Sequence, residues 1–190
     1  MREKLLFPTV IHEWDFEPDA DTAMLATLAK KMPTRAHGLV DGAQSSYNSV
    51  DTEILSNPLL ANMRRRFQDC VDAMTDTLGL EPVVITNSWV NFLHEGHRVE
   101  RHRHELSVIS GAFYIEADPG SVELQFHSPL EPLRMFEHVV VQNWHNQNFN
   151  TVPCKPLTLI LFPSWLSHSS KDNQTANRVT LSFNTTYKKK

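Results

Sequence analysis

A chain of 190 residues, 41% hydrophobic and 21% charged, has the make-up of one globular domain over 1–190 with a sizeable core, and its net charge of −4 excludes the basic footprint of a nucleic-acid groove. Two cysteines, Cys70 and Cys154, sit in unrelated contexts and exclude a disulfide framework and a paired-cysteine metal site. The start MREKLLFPTVIHEWDF lacks the long apolar core of an export signal and no run approaches a membrane span, so a reducing cytoplasm without a membrane partner is the expected setting.

In chain order, Leu5 to Ile11 is apolar enough for an edge strand, with Pro8 arguing against a central one. Glu17 to Asp21 reads as an acidic helix start, followed by TAMLATLAKKM with Met24, Leu25 and Leu28 as its stripe and Pro33 as its end. Gly, Ser, Asn and Gln dominate Thr34 to Asn48, whose length predicts a surface loop or lid over a site. Ser56 or Asn57 caps a second helix with Pro58 in its first turn, running to Gly79. Leu59, Leu60, Met63, Phe67, Val71, Met74 and Leu78 recur at helical spacing and predict a side that packs on a sheet. The triplet Arg64, Arg65 and Arg66 reads as a solvated face.

Beyond Pro82 the texture changes to short β-branched and aromatic runs separated by turns such as Asp118 to Ser121. They cover Val83 to Leu93, Leu106 to Ala117, Val122 to Phe126, Met135 to Gln142, Leu157 to Phe162 and Asn177 to Tyr187. Many short strands without helices between them make an antiparallel sandwich or barrel. With two leading helices braced against one sheet, the expected fold is mainly β (α+β): a double-stranded β-helix, the cupin-like jelly roll.

The chemistry concentrates in Val99 to Glu116, VERHRHELSVISGAFYIE, where His102 and His104 are two residues apart. Alternation across a strand puts both imidazoles on one face. His168, in LFPSWLSH at the end of an apolar run, is the candidate third ligand. Three ligands on one face of an octahedron leave the opposite positions open, the geometry of non-haem Fe(II) oxygenases. Ten residues on, Arg178, Thr180, Ser182 and Asn184 share one face of a strand while Val179, Leu181 and Phe183 share the other.

Each feature also has a plainer reading. A polar stripe is the ordinary wet face of an antiparallel strand. Inside a jelly roll, however, that face turns inward, where an unpaired arginine is costly and a bidentate carboxylate would satisfy it. A lone histidine is more often hydrogen-bonded than metal-bound, and this chain has ten. His94, His97, His127, His138 and His145 are therefore read as structural or surface groups, with His97 near enough in sequence to support the site. Trp89 and Phe113 are expected in the core, and Gly111 at a close-packed position. Ser110 has no GxSxG elbow around it, and there is neither a GxGxxG nor a P-loop.

The string WVNFLHEGHRVERHRHELSVISGAFYIEADPGSVELQF, followed by LTLILFPSWLSHSS and NRVTLSFNTT, resembles the 2-oxoglutarate and Fe(II)-dependent oxygenases of bacteria and phages. The resemblance runs from Val83 to Thr186, and weakly through LLFPTVIHEWDF. The wider superfamily pattern is a His, a carboxylate two residues later, a distal His, and an Arg followed two residues on by Ser or Thr. His102, His168, Arg178 and Thr180 match it; the carboxylate position holds His104, with Glu105 next door and, on a continuing strand, facing away.

The resemblance implies that His102, His104 and His168 hold Fe(II), and that 2-oxoglutarate chelates it through its keto acid end while Arg178 and Thr180 anchor the far carboxylate. Asn91 and Tyr114, on strands predicted to flank the site, are expected at the cosubstrate's other end. The implied reaction is hydroxylation of an unidentified substrate with release of succinate and CO2. An all-histidine set leaves the iron one unit more positive than a set with a carboxylate, and bound 2-oxoglutarate compensates. The primary substrate stays unnamed and a homo-oligomer is compatible with the chain. Two readings of other classes stand beside this one: a cupin-like metal- or ligand-binding protein without turnover, and a structural jelly-roll accessory protein. Arg178 with Thr180 favours the oxygenase, because a structural metal needs no cosubstrate anchor.

Overall fold

The computed structural model describes residues 1–188 except 3, 5, 40, 41 and 48–52. The chain opens with β1 (His12–Asp15) and α1 (Ala20–Ala29), then the short strands β2 (Arg35–Ala36) and β3 (Gln44–Ser45), then α2 (Ala61–Leu78). Strands follow: β4 (Val83–Leu93), β5 (Ile109–Ala117), β6 (Leu124–His127), β7 (Phe149–Val152), β8 (Thr158–Pro163), β9 (His168–Ser169) and β10 (Arg178–Tyr187). No described helix is long and apolar enough to cross a membrane.

Two antiparallel sheets result, one of seven strands in the order β1-β8-β5-β10-β4-β3-β2 and one of three in the order β7-β6-β9. From β5 onward the chain alternates between them, crossing to β6 and β7, back to β8, over to β9 and back to β10. That winding makes the expected double-stranded β-helix. The last strand, β10, lies in the middle of the large sheet, paired with β4 on one side and β5 on the other.

The helices form where local chemistry closes their ends. Asp19 and Thr22 cap α1 reciprocally, each side chain taking the other's backbone N–H at 2.9 Å. The α1 face turned inward is Thr22, Leu25 and Ala29; Met24, expected in the stripe, is exposed. Asn57 caps a 3-10 turn at Pro58–Leu60 that leads into α2, so Leu60 is buried and Leu59, one step round, is not. Met63, Phe67, Val71 and Met74 then face the sheet. They meet Ile85, Phe113, Leu181 and Phe183 in the larger core, between the helices and the outer face of the seven-stranded sheet. A smaller core of Tyr114, Leu124, Phe126, Val152, Ile160, Phe162 and Leu166 sits between the two sheets. Gly111 is where β5 lets the Phe183 ring in, since a Cβ there would come within 2.3 Å of that ring.

Two expected strands are absent. The edge strand forms at His12–Asp15 rather than Leu5 to Ile11, because Pro8 lacks an N–H and Phe7 takes a left-handed φ of 58° that breaks extension; residue 5 lies outside the described residues. Met135 to Gln142 pairs with nothing, and the partner of β6 is β7. The loop expected over Thr34 to Asn48 is partly ordered as the β2–β3 hairpin, which extends the large sheet beyond β4; residues 40, 41 and 48 lie outside the described residues.

Candidate metal centre

His102 and His104 precede β5 on an extended segment rather than in a regular strand. His102 forms an isolated bridge with His168, its N–H donating to the His168 carbonyl at 3.0 Å and receiving the reverse bond at 2.9 Å, and the His104 N–H donates to the Ser164 carbonyl at 3.0 Å. The segment is therefore laid against the β8–β9 turn, which carries the distal histidine to it. Ring centroids are 5.2 Å apart for His102 and His104, 4.2 Å for His102 and His168, and 5.1 Å for His104 and His168. One nitrogen from each ring lies within 4.8 Å of the other two.

Each ring is oriented by an oxygen on its Nδ1. His102 donates to the Glu100 carbonyl at 2.8 Å, His168 to the Leu166 carbonyl at 3.0 Å, and His104 to the Asn184 side-chain oxygen at 2.5 Å. An Nδ1–H so engaged leaves Nε2 as the free lone pair, the tautomer a metal ligand needs. Ser110, which no nucleophile motif explained, donates to the same Asn184 oxygen at 2.8 Å and fixes the amide's direction. Burial pushes the pKa of all three rings down, with His102 next door a further cause at His168, which falls to about 3. The rings are neutral at neutral pH and ready to coordinate.

Glu105 is exposed and paired with Arg103 at 3.2 Å, outside the cluster. The chain turns at Leu106, whose φ is 65°, so the carboxylate stays at the rim of the cavity.

That cavity, of about 630 Å³, lies on the inner face of the large sheet, and the polar stripe of β10 runs along it. Arg178 is 4% exposed and Thr180 5%, and neither the Arg178 Nε nor the Thr180 hydroxyl has a partner among the described residues. Among the described residues the guanidinium meets the Tyr114 hydroxyl at 3.5 Å, the face of that ring at 5.2 Å, and the Cys154 thiol. Burial pushes Tyr114 up to about 12 and raises Cys154 as well, so both stay protonated and give Arg178 no counter-charge. A buried cation with open donors beside a hydroxyl that has no described partner can hold a carboxylate. The chain's residues thus fit both a divalent metal and an elongated dicarboxylate.

Tyr114 lies beside Arg178, its hydroxyl 3.5 Å from the guanidinium. Asn91, in register with Thr180, has its amide engaged by Ser45 at 2.6 Å and Ser182 at 3.3 Å, tying β3, β4 and β10 together across the cavity floor. Trp89, expected in the core, is buried and also forms a wall of the cavity, 5.0 Å from the Tyr47 ring and 5.9 Å from the His104 ring.

Sequence reasoning missed His37, carried in from the β2–β3 hairpin. Its Nδ1 accepts the Leu39 N–H at 3.0 Å, leaving an Nε2–H as a donor in the cavity, and burial, then His102, pushes its pKa down. No periodicity marks a residue set by a two-residue strand. His97 supports that hairpin from below: a Cβ on Gly42, where φ is +77°, would lie 2.9 Å from its ring.

A family model described as "Putative 2OG-Fe(II) oxygenase" matches residues 87–184, a span that holds all three histidines and the β10 stripe. No curated protein sequence matches the chain. Among solved structures, a Pseudomonas putida prolyl-4-hydroxylase is similar at 13% identity and a TM-score of 0.64 over 95% of this chain and 94% of its own. HygX from Streptomyces hygroscopicus, with nickel and 2-oxoglutarate bound, is similar at 9% identity and a TM-score of 0.67 over 94% and 83%. A viral collagen prolyl hydroxylase from Paramecium Bursaria Chlorella virus-1, in complex with 2-oxoglutarate, follows at 10% identity and a TM-score of 0.58 over 92% and 94%. At such identities the likeness is one of fold.

Proposed function

This chain belongs to the 2OG-Fe(II) oxygenase family, and on that footing we propose that His102, His104 and His168 hold the iron while Arg178 and Thr180 grip the far carboxylate of 2-oxoglutarate. The observation that carries the assignment is the pair of buried, unpartnered donors, the Arg178 Nε and the Thr180 hydroxyl, in the same cavity as the histidine cluster. A metal binder without turnover would leave both donors buried and unused.

Iron and cosubstrate supply the oxidising chemistry, in which substrate C–H, O2 and 2-oxoglutarate become C–OH, succinate and CO2. The chain's part is orientation and exclusion of water. Glu100, Asn184 and Leu166 hold the three rings with Nε2 lone pairs free. Arg178 presents its fork, Thr180 its hydroxyl and Tyr114 its O–H to the carboxylate, while Asn91 braces the floor between β3 and β10. Three neutral imidazoles around a dication, a dianionic cosubstrate and the Arg178 guanidinium sum to +1, one unit more positive than the same site with a carboxylate at position 104. The primary substrate enters on the hairpin side, where Trp89 and Tyr47 offer an aromatic wall and the His37 Nε2–H a donor for an acceptor group. The reading takes 1–190 as one oxygenase-like domain working in the cytoplasm, a setting supported by two free thiols.

The test is direct. Purified protein given Fe(II), 2-oxoglutarate and air, without added substrate, should slowly form succinate and CO2, and the His102→Ala/His104→Ala/His168→Ala variant should bind no iron and form none. Absence of succinate from the wild type, or unchanged metal stoichiometry in the triple variant, overturns the assignment.

A further inference from the structure

The stretch between β6 and β7, residues 128–148, leaves a run of large apolar side chains uncovered. Leu133 is 78% exposed, Phe136 88%, Val140 95% and Trp144 81%. Its composition is that of a strand, yet it pairs with none. Nor is it held loosely. Arg101 anchors its root through Glu131 at 2.7 Å. Further on, Asn146 donates to the Val141 carbonyl at 2.9 Å, and the Asn143 side chain accepts the His145 N–H at 2.9 Å. These bonds close residues 141–146 on one another, with Val140 and Trp144 exposed.

The chemistry of this face selects its partner. Glu131 is paired with Arg101, and Arg134 lies 3.8 Å from Glu137, so its charged side chains already have counter-charges. An anionic membrane or a nucleic acid would need open cations here, and a charged protein would find nothing to pair with. A neutral apolar face is complementary to a copy of itself, and such a contact closes by two-fold symmetry. The exposed side chains of the run amount to on the order of 1,000 Å² per copy, against about 800 Å² that each partner gives to a standard interface.

We propose that residues 128–148 form the isologous interface of a homodimer, with Phe136, Val140 and Trp144 packed against the same face of a second copy. The contact is independent of the iron assignment, since none of these residues lines the cavity.

Sedimentation of the full chain over about 1 to 100 µM tests it. The wild type should approach twice the 21.8 kDa chain mass. Phe136→Glu and Val140→Lys should each weaken the dimer by about 100-fold or more, as expected for a charge placed at the centre of an apolar contact. Tyr187→Lys, an exposed aromatic away from the run, should not. Amide exchange of residues 136–144 in the wild type should slow as concentration rises, which tests the contact without any substitution. A wild type that stays monomeric, a dimer indifferent to Phe136→Glu and Val140→Lys, or a monomer that partitions onto zwitterionic lipid vesicles through this stretch would each overturn the proposal.

Discussion

Two faces of one strand behave as different materials. On the outer side of β10, Val179, Leu181 and Phe183 enter the core beneath the helices, and Phe183 stacks on Phe67 at 5.7 Å while the ring fills the space Gly111 leaves. On the inner side, Arg178, Thr180, Ser182 and Asn184 line a cavity in which two of their polar atoms have no partner among the described residues. Period-two alternation puts these faces within one strand's thickness of each other. The outer face is complete in the protein alone, whereas the inner face becomes complete only with a ligand. Stability and chemistry are therefore separable by which way a β10 side chain points, and substitutions on the two faces should fail in different assays.

The largest effect expected on stability is Phe183→Ala, which removes a fully buried ring and should cost about 3 to 5 kcal/mol in urea unfolding. Iron and 2-oxoglutarate affinity of the remaining folded protein should stay within about twofold of wild type. An equal loss in both assays would mean that the faces are coupled through the strand rather than separate.

Asn184→Ala acts on the other face. The His104 Nδ1 would lose its acceptor, and metal affinity in an anaerobic titration should fall by about 10- to 100-fold, the usual consequence of removing a group that orients a ligand. Unfolding stability should change much less than in Phe183→Ala.

Thr180→Val is a sharper and smaller probe. It replaces an unpartnered buried hydroxyl by a methyl of similar shape, so the ligand-free protein should be as stable as wild type or slightly more so. With one donor lost, 2-oxoglutarate should bind about 2- to 13-fold more weakly, the equivalent of roughly 0.5 to 1.5 kcal/mol for a hydrogen bond. A stability loss without an affinity loss would place Thr180 with the outer face.

Acid perturbs the inner face without any substitution. His168 titrates at about 3 in the fold, because burial and then His102 oppose its charge, and near 6.5 when exposed. Between those values the unfolded chain holds the extra proton, so metal-free stability should fall as pH drops from about 6.5 toward 3. The slope should be shallower in His168→Gln. It should be unchanged in Phe183→Ala.

Much of this division was legible in the sequence, for identifiable reasons. The alternation of RVTLSFN fixes both faces of β10, and a strand of that length in mid-sheet has neighbours on each side to hold it. Val83 to Leu93 forms β4 over that same span, since it is long and regular. The histidine spacing survives although His102 and His104 lie outside a regular strand, because the segment is still extended where it meets His168. What failed depended on partners that composition does not encode. Met135 to Gln142 has the residues of a strand and no strand to join, while Phe149–Val152, less distinctive, pairs with β6. The two-residue strands that bring His37 to the cavity exist only because β4 offers them an edge. Trp89 is buried as its apolarity implied, and its place on β4, two residues from Asn91, also turns it to the cavity.

The central claim is that the inner face waits for a dicarboxylate, and calorimetric titration of 2-oxoglutarate into anaerobic, iron-loaded protein tests it most directly. Truncating one partner of a desolvated charge pair costs about 2 to 5 kcal/mol. Arg178→Ala should therefore bind 2-oxoglutarate about 30-fold to a few thousand-fold more weakly than wild type. Arg178→Lys should recover only part of the loss, because a point charge lacks the fork, and iron affinity measured without cosubstrate should be little changed in either variant. Equal affinity in wild type and Arg178→Ala, or no binding to the wild type, would contradict it.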